Sequence, residues 1–476
     1  MKKSSLIITS ILILLLLTAC VPSNNNYDSS PDQISEYVTT APSVTHDMNS
    51  ADYWIEKCSD ADTILMETDQ ITNINKDNEP TFDLGNNKEI KLSEIGDTIP
   101  GDSVTALLST FEKPDNPKAY FIDGKPTTES FWNELIENMD IESINSNVSV
   151  KFAFSTERIN VKAAPDPNFI GETQNDLHYD MNAVAECAPY EPVAVLHESQ
   201  DSKWYYILCY GYSGWVPKES IAICGSRDEW IEYQNPDEFL IVTDREIRLA
   251  YDPYDPESSG LLLPMGTKLT LISPDEAPAD FNGRASYNSY IVKVPGRDNS
   301  GYITDIYSLI PVSEDVSIGY LPYTHANIIN QAFKKLGDRY GWAGSYYSND
   351  CSGITKEIYS CFGFKFPRNG KAQIRMTSMQ SIDVSKNTDS EKIEILSELP
   401  AGSLLYFPGH LMIYLGMDHD TPYVISAVGS MATKDMPKGD SIAVNSVILN
   451  SLSDTTRKTG KTWLSCITNI LTCENL

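Results

Sequence analysis

The chain has 476 residues, of which 66 are acidic and 36 basic, for a formal charge of −30. That balance argues against nucleic acid or an anionic surface as a partner. The length exceeds what a single core organises and implies several domains, and 26 tyrosines and 7 tryptophans supply apolar area to fold them without staples.

Residues 1–20 read as a secretory signal peptide. Lys2 and Lys3 precede the apolar run "LIITSILILLLL", which is too short and wrongly flanked for a spanning helix. The stretch Leu17-Thr18-Ala19-Cys20 resembles the lipobox of bacterial lipoproteins. That resemblance implies cleavage before Cys20 and a lipid on its thiol. The chain would then be extracytoplasmic, anchored to the cell membrane by lipid. Residues 21–50, rich in Pro, Ser and Asn at their start, read as a flexible tether.

Residues 51–145 read as a mostly helical N-terminal segment. From residue 148 the character changes. Runs such as "VSVKFAF", "EPVAVLHES" and "KWYYILCYGYSGWVP" are short strands between turn residues, and they predict a small barrel over 148–226. Residues 235–312 repeat the theme. "Ser213-Gly214-Trp215-Val216-Pro217" and "Ser300-Gly301-Tyr302-Ile303-Thr304" fall at equivalent late positions. This internal repeat resembles two bacterial SH3-like domains in tandem, both small all-β barrels. Over 320–476 a helix is followed by strands near 403–407, 411–416, 422–427 and 443–447, an α+β plan. In the helix, Ile328, Ala332, Phe333 and Leu336 share one face and Gly337 ends it.

The chain has nine cysteines. With Cys20 set aside, eight remain, an even number that permits disulfides in an exported chain. No Cys-x-x-Cys or Cys/His cluster occurs, so neither a metal site nor a cofactor is expected. "NDCSGITKEIYSCFGF" holds two cysteines ten positions apart. A helix beginning at Cys351 puts Ile354, Ile358 and Cys361 on one apolar stripe, with Gly363 placed to stop it. Cys361 is then core, and Lys356 and Glu357 form an ordinary solvated face. A disulfide between the two is excluded, because ten helical residues span about 15 Å against a Cα limit of about 7 Å. Cys351 sits at the helix N-terminus between Asp350 and Ser352. There, backbone N–H groups and the helix dipole favour a thiolate and can stabilise an oxyanion. A thiol nucleophile needs a base. His410 opens a strand on which His410, Met412 and Tyr414 share one side and Leu411, Ile413 and Leu415 the other.

These stretches, in order, are Arg339-Tyr340-Gly341-Trp342-Ala343-Gly344, Asp350-Cys351-Ser352-Gly353, Phe366-Pro367-Arg368 and Gly409-His410-Leu411-Met412-Ile413-Tyr414-Leu415-Gly416. They resemble the NlpC-type cysteine peptidases of the bacterial cell wall. The resemblance implies a circularly permuted papain-like domain after a multidomain N-terminal part. It implies hydrolysis of the bond between γ-D-glutamate and a diamino acid, diaminopimelate or lysine, in peptidoglycan stem peptides. Cys351 would be the nucleophile and His410 base and acid, with Tyr340, Trp342, Asp350 and Ser352 facing substrate. In relatives of this architecture the first SH3-like domain narrows the site, so that peptides with a free N-terminal L-alanine fit best. Asp350 would pair with that ammonium, and the strand end Tyr210–Trp215 is a candidate wall.

Two positions depart from the family pattern. Ser426 stands where a polar residue, often His, orients the catalytic imidazole; its hydroxyl can accept from Nδ1–H but stabilises an imidazolium less than a carboxylate does. His419 lies in the intervening hairpin, whose tip points away from a buried site. Gly370 stands where relatives often carry a serine. The sequence therefore supports an active membrane-tethered endopeptidase first. A cell-surface binding lipoprotein with a weakened or inactive peptidase domain comes second, and a structural or adhesive surface protein third.

Overall fold

The computed structural model describes residues 37–256 and 258–473, so the expected signal peptide, Cys20 and the first part of the tether lie outside the described residues. No helix among the described residues is long and apolar enough to cross a membrane. Residues from Thr40 onward form one unit by their internal contacts, and the description that follows concerns that unit.

The first β module is a seven-stranded antiparallel sheet. Its order is Ile221–Ile223, Lys151–Ser155, Pro192–Glu198, Trp204–Cys209, Tyr212–Pro217, Ile159–Lys162 and Ala183–Cys187. The strand Trp204–Cys209 is buried at every position. The period-2 geometry of a strand sorts its side chains to two cores. Trp204, Tyr206 and Leu208 face a cluster shared with Leu107, Trp132 and Leu135, and Tyr205, Ile207 and Cys209 fill the barrel interior.

The second module pairs Ile303–Pro311, Ser289–Arg297, Lys268–Ile272, Phe239–Val242 and Val316–Ile318 in that order, with a separate hairpin of Glu246–Arg248 and Leu262–Pro264. Its last strand runs past residue 312, because Leu240–Val242 needs a second neighbour and finds it at Val316–Ile318.

The C-terminal region places the helices His325–Lys334 and Cys351–Ser360 against an antiparallel sheet. The sheet order is Gln380–Asp383, Asn469–Thr472, Leu404–Phe407, His410–Asp418, Thr421–Thr433 and Ile442–Ser451. Leu411, Ile413 and Leu415 face the helices, whereas Met412 and Tyr414 join a second cluster with Leu396 and Trp463. The alternation read from the sequence is thus kept, with a bulge between Tyr414 and Gly416.

Two expectations for the N-terminal part need correction. The tether does not extend to residue 50. Val44 and Met48 are buried, Trp54 donates its indole N–H to the Met48 carbonyl at 2.8 Å, and Tyr423 donates to the Ser43 carbonyl at 2.8 Å. Apolar side chains here have a core to enter, so the chain is held. The 51–145 segment is also less helical than expected. It alternates short helices (Ala51–Ile55, Thr68–Asp77, Gly101–Leu108, Glu129–Asn138) with two- and three-residue β pairs. Its packing is divided. Trp54, Ile71 and Ile74 enter the core of the C-terminal domain, while Phe82, Val104 and Trp132 enter that of the first β module.

Trp54 has no exposed surface and packs on Tyr423 with ring centroids 5.3 Å apart. Trp54→Ala is expected to lower unfolding stability by about 3–5 kcal/mol, read as a fall in urea midpoint at an unchanged m-value.

Candidate active site

Asp350 precedes the helix Cys351–Ser360 and caps it. Its Oδ1 accepts from the backbone N–H groups of Ser352 at 3.1 Å and Gly353 at 2.9 Å. This cap fixes where the helix begins, and therefore where Cys351 stands. It also engages two of the first-turn N–H groups, so those donors are not the ones available to an oxyanion. The rest of the Asp350 carboxylate is taken by Arg368. Nη1 reaches Oδ1 at 2.8 Å and Nη2 reaches Oδ2 at 2.6 Å, and Ala343 N–H adds a bond to Oδ2 at 3.2 Å. Ser352 Oγ lies in the same network, donating to Asp350 at 3.1 Å and accepting from Arg368 Nη1 at 2.9 Å. Arg368 Nε then donates to Glu186 Oε2 at 2.6 Å, and Glu186 belongs to the first β module. The sequence reading named neither Arg368 nor Glu186 as site residues. The carboxylate of Asp350 offers about four acceptor positions, and all are filled. Asp350 thus has no acceptor position left over without substrate.

The loop after Tyr340 carries the aromatic side of the site. Tyr340 is 8% exposed and lies close enough to Asp350 and Cys351 that burial, then their charges, push its hydroxyl pKa upward. Trp342 is 37% exposed. Tyr179, from the first β module, packs against both, with ring centroids 6.1 Å from Tyr340 and 5.7 Å from Trp342. Gly344 has φ +85°, and a Cβ there would come within 2.5 Å of Glu186. Only glycine lets the loop press this close to the carboxylate. The expected Tyr210–Trp215 wall is met in part. Tyr212 OH accepts from Asn369 at 3.4 Å, but Trp215 has no exposed surface and faces the N-terminal helices. Tyr179 and the 169–182 loop supply the nearer wall; their spacing gave no signal in sequence.

On the sheet, His410 Nε2 lies 3.0 Å from Ser426 Oγ, and Ser426 is 1% exposed. The ring nitrogen facing Ser426 is therefore Nε2, not the Nδ1 expected from sequence. Nδ1 has no hydrogen-bond partner among the described residues. The imidazole is packed between Trp463 and Phe407, with centroids at 4.9 and 5.4 Å. Trp463 was not anticipated, since it lies 53 residues downstream in a four-residue helix, Trp463–Cys466. His419 occupies the hairpin tip with φ 49°, away from this pocket.

The thiol and the imidazole meet through Leu411. The backbone N–H of Leu411 is directed at Cys351, and that of Ser352, already held by Asp350, lies close to the thiol as well, which brings the start of the His410 strand to the sulfur. No hydrogen bond joins Cys351 to His410 directly among the described residues; such bonds are often loose before substrate binds. Burial and then the Asp350 charge push the Cys351 thiol up to about 12. Burial and then the Arg457 charge push His410 down to about 4, with Asp350 opposing. Both shifts favour the uncharged forms, a thiol at Cys351 and a neutral imidazole at His410.

The face opposite the thiol is not solvated, contrary to expectation. Lys356 pairs with Glu191 at 3.2 Å, and Glu357 pairs with Arg158 at 3.1 Å and Lys335 at 2.8 Å. Glu191 and Arg158 belong to the first β module, so this charged face is an interface. Cys361 is core as expected, with no exposed surface, and its thiol points at the Val242 carbonyl at 3.7 Å. No disulfide joins the described cysteines, and no cluster of metal-ligating side chains occurs among the described residues.

Comparison with known proteins agrees with this architecture. Residues 337–442 match the NlpC/P60 family, and residues 169–217 match an SH3 domain of the SH3b1 type. A gamma-D-glutamyl-L-lysine dipeptidyl-peptidase of Bacillus cereus is 28% identical over 172 residues, covering 35% of this chain and 44% of that protein. The match thus spans less than half of the curated relative. An NlpC/P60 endopeptidase from Photobacterium damselae subsp. piscicida superposes with a TM-score of 0.65 at 17% identity, over 87% of this chain and 94% of that one. The two share a fold. The chain carries an NlpC/P60 domain behind an SH3-type domain.

Three measurements probe the pair. A base must be neutral to accept the thiol proton, so kcat/KM is expected to rise through His410's titration near pH 4 and stay level through neutrality. Arg457→Ala removes a cation that disfavours imidazolium, and its acid limb is expected to move to higher pH by a few tenths of a unit, about what an exposed charge supplies. Ser426→Ala is expected to lower kcat about tenfold, the loss of one buried orienting hydrogen bond, with KM little changed.

Proposed function

We propose that the chain is a cysteine endopeptidase that hydrolyses peptidoglycan stem peptides between γ-D-glutamate and a diamino acid. The observation that carries the reading is the convergence of Cys351, at a capped helix start, with the amide of Leu411 and the Ser426-held His410. Substrate binding brings the scissile carbonyl to the sulfur. His410 Nδ1 takes the thiol proton as Sγ attacks, and the same proton then passes to the leaving amine. A water activated by His410 releases the acyl group and restores the thiol.

The charge at the cleft supports a cationic substrate end. Asp350 and Glu186 place two carboxylates against the single guanidinium of Arg368. Glu186 uses only Oε2 on Arg368, and Oε1 has no hydrogen-bond partner among the described residues. Glu186, rather than Asp350, is therefore the acceptor we assign to a free N-terminal ammonium. The faces of Tyr179, Tyr340 and Trp342 flank it, and Ser352 steadies Arg368. The helix-before-sheet order of the domain supports reading it as a circularly permuted papain-like arrangement. Lipid attachment at Cys20, with an extracytoplasmic location, remains part of the proposal on the strength of the sequence alone. The binding-lipoprotein alternative predicts no turnover, which the following assay separates.

Purified protein given L-Ala-γ-D-Glu-diaminopimelate, or the lysine analogue, is expected to release the diamino acid by mass spectrometry. Cys351→Ala should release none. Equal release by that variant would refute the nucleophile. Gly370→Ser is expected to fold and to lower KM. A Cβ there meets Ser352 and Leu411 at 3.6 and 3.5 Å, ordinary contact distances, and the hydroxyl adds a donor beside the thiol.

A further inference from the structure

A second cavity, of about 660 Å³, is lined by none of Cys351, His410, Ser426, Asp350, Arg368 and Glu186. It lies between the helices Thr68–Asp77 and Arg227–Gln234, the strands Lys268–Ile272 and Ser289–Arg297, and the turn that ends at Lys365. Its size falls within the range that holds a small ligand. Asn75 ties two of these walls together. It donates to the Gly363 carbonyl at 2.8 Å and accepts from the Lys365 backbone N–H at 2.8 Å.

The charge of this cavity runs against that of the chain. In a protein of net charge −30, its lining has five basic residues, Lys76, Arg227, Lys268, Lys293 and Lys365, against one acid, Glu79. Glu79 is engaged by the backbone N–H and hydroxyl of Ser93 at 2.9 and 2.7 Å. Arg227 is engaged by the carbonyls of Ile95 and Ser93, and Lys293 faces Asp305 at 3.6 Å. The other three, Lys76, Lys268 and Lys365, have no carboxylate partner among the described residues. Lys268 is the enclosed one. Among the described residues its ammonium meets the Gln234 carbonyl at 3.3 Å and the Phe239 ring at 4.3 Å. Burial, then the charge of Lys365, push its pKa down to about 8. An ammonium held near another without a counter-ion is an unfavourable arrangement that a bound anion relieves. A neutral donor is also waiting. The Tyr210 hydroxyl, in the same wall, is buried with no hydrogen-bond partner among the described residues.

We propose that this cavity binds the phosphate group of a small ligand, with Lys268 as the central contact, Lys365 and Lys76 at the mouth and the Tyr210 hydroxyl as a neutral donor. Lysine ammoniums act as point charges, which suits a tetrahedral anion of several oxygens, whereas the flat fork of arginine suits a planar carboxylate. The proposal rests on residues outside the thiol site and does not depend on the peptidase reading.

Calorimetric titration of the full chain with inorganic phosphate and with glycerol 3-phosphate, and flotation with phosphatidylglycerol vesicles, test it at low salt. Saturable binding of at least one probe is expected. Lys268→Met, which keeps the volume and removes the charge, should weaken it at least about tenfold. If Lys268→Met fails to fold, the surface double variant Lys76→Ala/Lys365→Ala should weaken binding in the same direction. Equal binding of both soluble probes supports a site for the free anion, preference for glycerol 3-phosphate one for a phosphate ester, and lysine-dependent binding of vesicles alone a lipid headgroup. No binding of any probe, or binding indifferent to these variants, overturns the proposal.

Discussion

The buried guanidinium of Arg368 is the constraint from which the thiol site is built. It receives Asp350 on two nitrogens and Glu186 on the third, all three residues being less than a tenth exposed. A charge so placed is tolerable only if fully paired, since removing one partner leaves another uncompensated in a low-dielectric setting. The pairing therefore dictates geometry. Asp350 is held where it can cap the helix that starts with Cys351, and the loop carrying Arg368 is held against that helix. Gln373 reinforces this from behind, donating to the Ser352 and Pro367 carbonyls at 2.9 and 2.8 Å.

The same constraint makes the first β module part of the site. Glu186 reaches across to Arg368, Glu191 to Lys356, and Arg158 to Glu357. The helix that begins at Cys351 is thus gripped on its charged face by one module while its apolar face enters the sheet of another. A separate binding accessory would have no cause to bury ion pairs at this seam. Tyr179 continues the arrangement by standing against Tyr340 and Trp342.

Much of this was legible in the sequence, and the limits have physical causes. The helix from Cys351, the core role of Cys361 and the sidedness of the His410 strand follow from local periodicity. The contact between His410 and Ser426 followed from family resemblance, though the nitrogen involved did not. What local pattern could not supply is the long-range partner of a charge. Lys356 and Glu357 look like a solvated face because helical spacing says only that they share a side, not what that side meets. Glu186 and Tyr179 carry no motif at all. Their importance comes from a neighbouring module arriving at the right place. The strands Gln380–Asp383 and Asn469–Thr472, which pair with each other across nearly ninety residues, were missed for the same reason.

The claim that a residue of the β module governs chemistry at the thiol is tested most directly by steady-state kinetics of Glu186→Gln on the free tripeptide, alongside its N-acetylated form. The account predicts that the variant, whose amide oxygen can still accept from Arg368, stays folded but loses about tenfold or more in kcat/KM on the free peptide, and clearly less on the acetylated one. Unchanged kcat/KM on both substrates would contradict it.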